Sequence, residues 1–151
     1  MKTVPEGTVV PDFELPDQDG TPVRLSSRLQ DGPVVLFFYP GAMTGGCTKE
    51  ACHFRDLAAE FSAAGAQRLG ISMDPVAKQK QFTDLHGFDY PLLSDDSGAV
   101  ATSFGVRRKY LTPVKRATFV IDRDRTVRKV IASEMSMDVH ADQALAALRA
   151  L

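Results

Sequence analysis

Tryptophan is absent from this sequence, and cysteine and histidine are scarce: 151 residues include two cysteines and three histidines. The two cysteines, Cys47 and Cys52, cannot by themselves form a four-ligand zinc site. None of the histidines has the spacing that would supply the missing zinc ligands. A disulfide between residues this close in sequence would close a very small loop and add little stability. We therefore expect no bound metal, and we expect any pairing of the two thiols to serve catalysis.

Long apolar runs and a large net charge are also missing. The longest apolar run, Val34 to Phe38, is too short to cross a bilayer, and residues 1–7 do not resemble a signal peptide. A net charge of −1 favours neither nucleic acid nor an anionic membrane surface as a partner. These absences predict a cytoplasmic protein that binds neither nucleic acid nor membranes.

What is present is the composition of a globular protein, with 44% hydrophobic and 25% charged residues. The length, and the lack of repeats or linkers, predict one domain over residues 1–151. Strands alternate with helices and are followed by a hairpin and a final helix, which favours an α/β sandwich compatible with the thioredoxin arrangement. Strands are predicted at 12–15, 21–25, 33–39, 66–72, 117–121 and 126–132, and helices at 48–64, 75–85, 97–104 and 138–151.

Two further local predictions follow from turn and capping residues. The strands at 12–15 and 21–25 flank an Asp-Gly turn, which predicts an N-terminal β-hairpin. Asp74 directly precedes Pro75, and this pair predicts an aspartate N-cap with proline at the first helical position.

The segment from Pro40 to Cys52, PGAMTGGCTKEAC, contains most of the chemical information. Cys47 stands where a buried strand gives way to a helix, and the free N–H groups of a helix start favour a thiolate over a thiol. The two glycines before it leave room for a small ligand at the backbone, and Thr44 offers a hydroxyl. A buried, inert cysteine at the start of a helix remains the alternative interpretation.

Pro40-x-x-x-Thr44-x-x-Cys47 resembles the active-site signature of the peroxiredoxins. The similarity extends over nearly the whole chain and is closest to the peroxiredoxin Q subfamily, also called bacterioferritin comigratory protein, and to its actinobacterial members. The matching segments are PDFELPD at 11–17, FFYP at 37–40, CTKEAC at 47–52, DYPLLSD at 89–95 and KRATFVID at 115–122.

The resemblance implies a thioredoxin-like fold, a central mixed sheet flanked by helices, and the reduction of hydroperoxides. It makes Cys47 the peroxidatic cysteine and Cys52 the resolving cysteine of an intramolecular disulfide. It makes Thr44 the hydroxyl that bonds the thiolate and the peroxide, Pro40 the residue that shields the site from water, and Arg116 the cation that stabilises the thiolate and orients the peroxide. It also implies thioredoxin or a thioredoxin-like reductant, no cofactor, and a monomer.

Helix geometry constrains how these two cysteines can meet. Five residues of helix separate their Cα atoms by about 8–9 Å, whereas a disulfide needs less than about 7 Å. A disulfide between Cys47 and Cys52 therefore requires the helix start to unwind. Glu50, on the first turn, has two open interpretations: it positions Arg116, or it faces solvent.

Three other functions stay open from the sequence. A protein thiol–disulfide oxidoreductase would share the fold, but its usual mark is Cys-x-x-Cys, and here four residues separate the cysteines. A non-enzymatic binding module would have two incidental thiols. A one-cysteine peroxidase would use an external thiol, with Cys52 structural.

Overall fold

Seven strands and six helices make up the part of the chain that the computed structural model describes, residues 2–151. The strands are β1 (Glu14–Pro16), β2 (Pro22–Arg24), β3 (Val34–Phe38), β4 (Gln67–Ser72), β5 (Leu92–Ser94), β6 (Ala117–Ile121) and β7 (Val127–Ala132). The helices are α1 (Leu25–Leu29), α2 (Gly45–Asp56), α3 (Ala58–Ala63), α4 (Val76–His86), α5 (Ala99–Ser103) and α6 (Asp138–Arg149).

Five strands form the central sheet in the order β5-β4-β3-β6-β7. Strands β3, β4 and β5 are parallel, whereas β6 pairs antiparallel with both β3 and β7. Every residue of β3 is buried, as expected of an apolar run at the centre of a sheet that is covered on both faces. Strands β1 and β2 pair antiparallel outside this sheet, with Leu15 opposite Val23, and this confirms the predicted N-terminal hairpin.

Alternation along β3 divides the core into two layers. Val34, Leu36 and Phe38 enter one apolar cluster, in which α1 and α5 also lie. Val35 and Phe37 point the other way, into a cluster with the apolar residues of α2, α4 and α6. The second layer contains Cys47, so the reactive segment belongs to the face of the sheet that α2 and α6 cover.

The helix predicted over 48–64 differs from the structure at both its start and its middle. It begins at Gly45 and is interrupted at Leu57, so that two helices, α2 and α3, replace one. At the break, the Phe54 carbonyl accepts a hydrogen bond from Nη1 of Arg68 at 2.8 Å. A side chain from a distant strand thus competes for a carbonyl of the helix, and local periodicity does not reveal such a partner.

Stacking of Phe37 on Phe54, with ring centroids 4.1 Å apart, fixes α2 against the centre of the sheet. Phe37→Ala removes this ring from a fully buried site, so we expect a loss of about 3–5 kcal/mol in the free energy of unfolding. Urea unfolding of the reduced protein measures it. Leu85→Ala is the control, because Leu85 is 64% exposed and its loss should cost less than about 0.5 kcal/mol. Similar losses for both variants would contradict the packing described here.

Candidate active site

Cys47 is the third residue of α2 and is only 1% exposed. The residue before the helix, Thr44, has extended backbone angles, and its carbonyl accepts the first helical bond, from the Thr48 N–H at 2.9 Å. The Cys47 N–H therefore lies in the first turn, where amides have no partner within the helix. Cys47 is therefore at the positive end of the helix dipole, a position that favours negative charge.

Arg116 connects the sulfur to a buried carboxyl group. Its Nη2 lies 3.3 Å from the Cys47 Sγ, and its Nη1 donates to Oε1 of Glu50 at 2.9 Å. Glu50 is completely buried, so the interpretation that it faces solvent is wrong, and its hydrogen bond with Arg116 is consistent with the other interpretation, that it positions this cation. One guanidinium, itself 6% exposed, thus contacts both the thiol and the acid.

Burial and charge shift the pKa values of Glu50 and Arg116 in opposite directions. Burial raises the pKa of Glu50 to about 8, although the charge and hydrogen bond of Arg116 act to lower it. Burial acts to lower the pKa of Arg116, but the negative charges of Glu50 and Cys47 outweigh it and raise that pKa above its ordinary value. The cation is therefore always charged, whereas the acid can change its charge near neutral pH.

A second group of buried polar residues, which no sequence motif indicates, lies behind Glu50. The Nδ1 atom of His140 is 2.8 Å from the Thr118 hydroxyl and 3.6 Å from Glu50 Oε2. Its Nε2 lies 2.8 Å from the Ser133 carbonyl. Burial lowers the pKa of His140, which favours a neutral imidazole. From the sequence, His140 could be described only as a histidine that is not spaced to complete a zinc site.

Glu134 fixes the backbone on which Arg116 is carried. One oxygen of Glu134 accepts from the Arg116 N–H at 3.1 Å and from Nη2 of Arg108 at 2.8 Å. This carboxylate links the basic loop before β6 to the segment between β7 and α6. It, too, escaped prediction, because it lies 18 residues from Arg116 in an irregular segment.

The loop that precedes α2 is held by a residue whose predicted role was wrong. Asp74 does not cap α4, because Pro75 occupies the N-cap position and no side chain caps it. The Asp74 Oδ2 instead accepts from the Ala42 N–H and from the Ser72 hydroxyl, each at 2.7 Å. Asp74 therefore links the end of β4 to the loop that leads into Cys47.

Thr44 and Pro40 both lie in this loop between β3 and α2. Thr44 is exposed, and its hydroxyl donates to the Gly41 carbonyl at 2.8 Å, which leaves the oxygen free to accept. Pro40 is half-buried. The catalytic roles of both residues stay predictions.

Gly46 allows Arg116 to reach the sulfur. A Cβ at this position would lie 3.2 Å from Nη2 of Arg116 and 3.3 Å from Cε of Met137. The sequence interpretation expected the paired glycines to admit a ligand to the backbone; in the structure, Gly46 admits the guanidinium.

Cys52 is half-buried, and both cysteines are free thiols within the single helix α2. Between them, the Ala51 carbonyl accepts a hydrogen bond from the Tyr90 hydroxyl at 2.6 Å. His53, directly after Cys52, forms a surface pair with Asp142 at 2.8 Å. The Tyr90 hydrogen bond therefore ties the segment between the cysteines to the chain before β5, and the resolving role of Cys52 stays a prediction.

Over residues 2–151 no cluster of three or more His, Cys, Asp and Glu side chains is placed to hold a metal ion. Within the same range, no helix combines the length and the apolar character needed to cross a membrane.

Comparison with known proteins identifies the family to which this chain belongs. Residues 7–130 match the model of the AhpC/TSA family. The chain is 66% identical to a Mycobacterium tuberculosis protein named as a peroxiredoxin, over all of this chain and 98% of the relative. It is 40% identical to the chloroplastic peroxiredoxin Q of Suaeda salsa, over 98% of this chain and 69% of that protein.

Solved structures give the same result. A peroxidoxin from Mycobacterium tuberculosis superposes with a TM-score of 0.94 at 66% identity, over 97% of each chain. Peroxiredoxin Q from Xanthomonas campestris gives 0.85 at 33% identity, over 91% of this chain and 90% of that one. Another structure from that organism concerns alkyl peroxide reduction by its bacterioferritin comigratory protein, with a TM-score of 0.84 at 33% identity, over 91% of this chain and 90% of that one. The predicted thioredoxin-like fold and the resemblance to peroxiredoxin Q are confirmed.

The raised pKa of Glu50 makes the free energy of unfolding depend on pH, and a variant without this carboxyl group shows how much of that dependence Glu50 causes. A pKa that rises from 4.5 to about 8 on folding gives stability that is complete below pH 4.5 and lost as pH increases toward 8. Glu50→Gln has no such titration. We expect the unfolding free energy of the parent to fall relative to Glu50→Gln, by on the order of a few kcal/mol, over this range. Urea unfolding at stepped pH measures the difference, and parallel curves would contradict it.

Proposed function

This chain belongs to the AhpC/TSA family of peroxiredoxins, and on that premise we propose that it is a thiol peroxidase that uses Cys47 to reduce hydrogen peroxide and organic hydroperoxides. One observation carries the proposal: the Cys47 sulfur lies at the start of α2 with the Arg116 guanidinium 3.3 Å away. Both features favour the thiolate, which is the nucleophilic form. The alkyl peroxide activity named for the Xanthomonas campestris relative supports organic hydroperoxides as substrates.

In the first step, an electron pair of the Cys47 thiolate attacks the terminal peroxide oxygen. The O–O bond breaks, the leaving oxygen takes up a proton, and sulfur is oxidised to sulfenic acid. Arg116 and the free amides of the first helical turn stabilise the charge that develops on the leaving oxygen. Thr44, exposed beside the helix start, supplies a further hydroxyl to the peroxide, and half-buried Pro40 limits access of water.

In the second step, Cys52 displaces water from the sulfenic acid and forms a disulfide with Cys47. Both residues lie in α2, so the segment between them must unwind. Unwinding competes with the Tyr90 hydrogen bond to Ala51, which holds the backbone of α2 at that point. An external dithiol, thioredoxin or a thioredoxin-like protein, then reduces the disulfide and returns the chain to its starting state. A cytoplasmic location and a monomeric state complete the proposal.

The expected product of one equivalent of hydrogen peroxide is a chain that has lost two hydrogens and carries a Cys47–Cys52 cross-linked peptide. Cys52→Ser should instead gain one oxygen, on Cys47, because the resolving thiol is missing. Cys47→Ser should remain unmodified, because Cys52 is the eighth residue of α2 and lies beyond the first helical turn with its free amides. Intact mass and a non-reducing peptide map distinguish these products.

Turnover with thioredoxin separates the two-cysteine mechanism from a one-cysteine peroxidase. The two-cysteine mechanism predicts that Cys52→Ser loses steady-state turnover although its Cys47 is still oxidised. Full turnover in this variant would assign Cys52 a structural role. An unmodified parent chain would rule out the peroxidase itself.

A further inference from the structure

One oxygen of the buried Glu50 carboxyl group has no hydrogen-bond partner within the described residues. Its Oε1 accepts from Arg116, whereas Oε2 is buried and unpartnered. The polar atom that faces Oε2 is Nδ1 of His140, at 3.6 Å. A buried carboxylate oxygen without a donor is costly, whereas a protonated oxygen in the same place carries no charge.

The protonation of His140 follows from its partners. The Ser133 carbonyl can only accept, so Nε2 of the imidazole carries the proton of that bond. In the neutral ring Nδ1 is then an acceptor, and it receives the Thr118 hydroxyl at 2.8 Å. Burial and the charge of Arg116 both act against a doubly protonated ring and lower the pKa of His140. Nδ1 therefore carries no proton that it could donate to Glu50 Oε2, and the lack of a donor disfavours the carboxylate.

The charges around Glu50 lead to the same conclusion. A thiolate at Cys47, the form that the proposed function requires, would balance the charge of Arg116, whose Nη2 lies 3.3 Å from the sulfur. Beyond them lies Glu134, whose carboxylate bonds the Arg116 backbone and Arg108, and its negative charge acts to raise the pKa of Glu50 further.

Tyr90, which packs nearby, is neutral because burial raises its pKa well above the ordinary value. With the thiolate formed, an ionised Glu50 would leave the buried group with one uncompensated negative charge.

We propose that Glu50 holds a proton while Cys47 is a thiolate and releases it when Cys47 is oxidised. Resting on the proposed function, this inference adds a proton-linked role for a residue that does not touch the peroxide. Oxidation removes the negative charge of the sulfur, and the positive charge of Arg116 then favours the Glu50 carboxylate at 2.9 Å. Glu50 is thus a positioning residue whose charge follows the redox state of the thiol.

The step balances without a proton from the buffer. The thiolate electron pair forms the S–O bond, the O–O bond breaks, and the leaving oxygen takes up one proton. Glu50 gives up one proton to the surroundings in the same reaction. The reactants are the thiolate, the hydroperoxide and the protonated Glu50. The products are the sulfenic acid, the Glu50 carboxylate, and water from hydrogen peroxide or an alcohol from an organic hydroperoxide.

Counting protons in a Cys52→Ser background tests this directly, because oxidation stops there at the sulfenic acid. The reduced protein, shown by its ultraviolet absorbance to be a thiolate, is mixed near pH 7 with one equivalent of hydrogen peroxide in weak buffer containing a pH indicator. We expect almost no proton uptake. With Glu50→Gln added, which resembles the neutral acid but cannot ionise, we expect one proton taken up per Cys47.

Asp142→Asn in the same background is the matched control. It removes a carboxylate from α6 that is 60% exposed and pairs with His53 at the surface, so proton uptake should equal that of the background. Equal uptake in the background and the Glu50→Gln variant would overturn the inference.

The proton count also separates this inference from the proposed function: absence of sulfenic acid defeats the function, whereas sulfenic acid with equal proton uptake defeats only the role of Glu50. An infrared difference spectrum provides a second measurement should Glu50→Gln not fold. Oxidation of the Cys52→Ser protein should remove a protonated-carboxyl band, and its persistence would overturn the inference.

Discussion

A single buried cation, Arg116, determines the arrangement of the active site. Its guanidinium contacts the Cys47 sulfur and the Glu50 carboxyl group, and a buried charge is tolerated only when it is paired and hydrogen-bonded. The other polar residues of the site position this cation or its partners. Glu134 holds its backbone, Gly46 leaves space for its side chain, and α2 brings thiol and acid to it on successive turns.

The register of the central sheet places this cation. Strand β3 pairs antiparallel with β6 so that Phe38 lies opposite Ala117. Arg116 therefore stands at the end of β3 where the chain turns toward α2 and Cys47. A shift of one residue in this register would turn every side chain of β6 to the opposite face of the sheet and move Arg116 away from the sulfur. Stability of the sheet and reactivity of the thiol thus depend on the same pairing.

Prediction from sequence was accurate where local pattern determines structure. The apolar run that became β3, the hairpin of β1 and β2, and α6 each follow from periodicity and turn residues. The location of Cys47 at the start of a helix could be inferred from the apolar strand and glycine-rich loop that precede it. Arg116 could not be chosen among the neighbouring basic residues by pattern, and only the resemblance to peroxiredoxins identified it.

What could not be predicted depends on contacts between distant parts of the chain. Asp74 has the sequence signature of an N-cap, but the Ala42 N–H and the Ser72 hydroxyl occupy its carboxylate instead. Glu50 reads as a surface residue of a first helical turn, and its burial depends on α6 packing over it. His140 looks like one polar residue in an amphipathic helix, and only the folded sheet brings Thr118 and Glu50 to its ring.

The most direct test of the role of Arg116 is the reactivity of Cys47 when that cation is removed. In a Cys52→Ser background, so that a single thiol reports, Arg116→Met replaces the guanidinium with an apolar side chain of similar length. The ultraviolet absorbance of the thiolate and the rate of alkylation by iodoacetamide are measured at pH 7, with circular dichroism to confirm the fold. The pairing described here predicts a smaller thiolate signal and alkylation slower by roughly tenfold or more. An unchanged signal and rate in a folded variant would show that the helix start alone stabilises the thiolate, and would contradict the central role of Arg116.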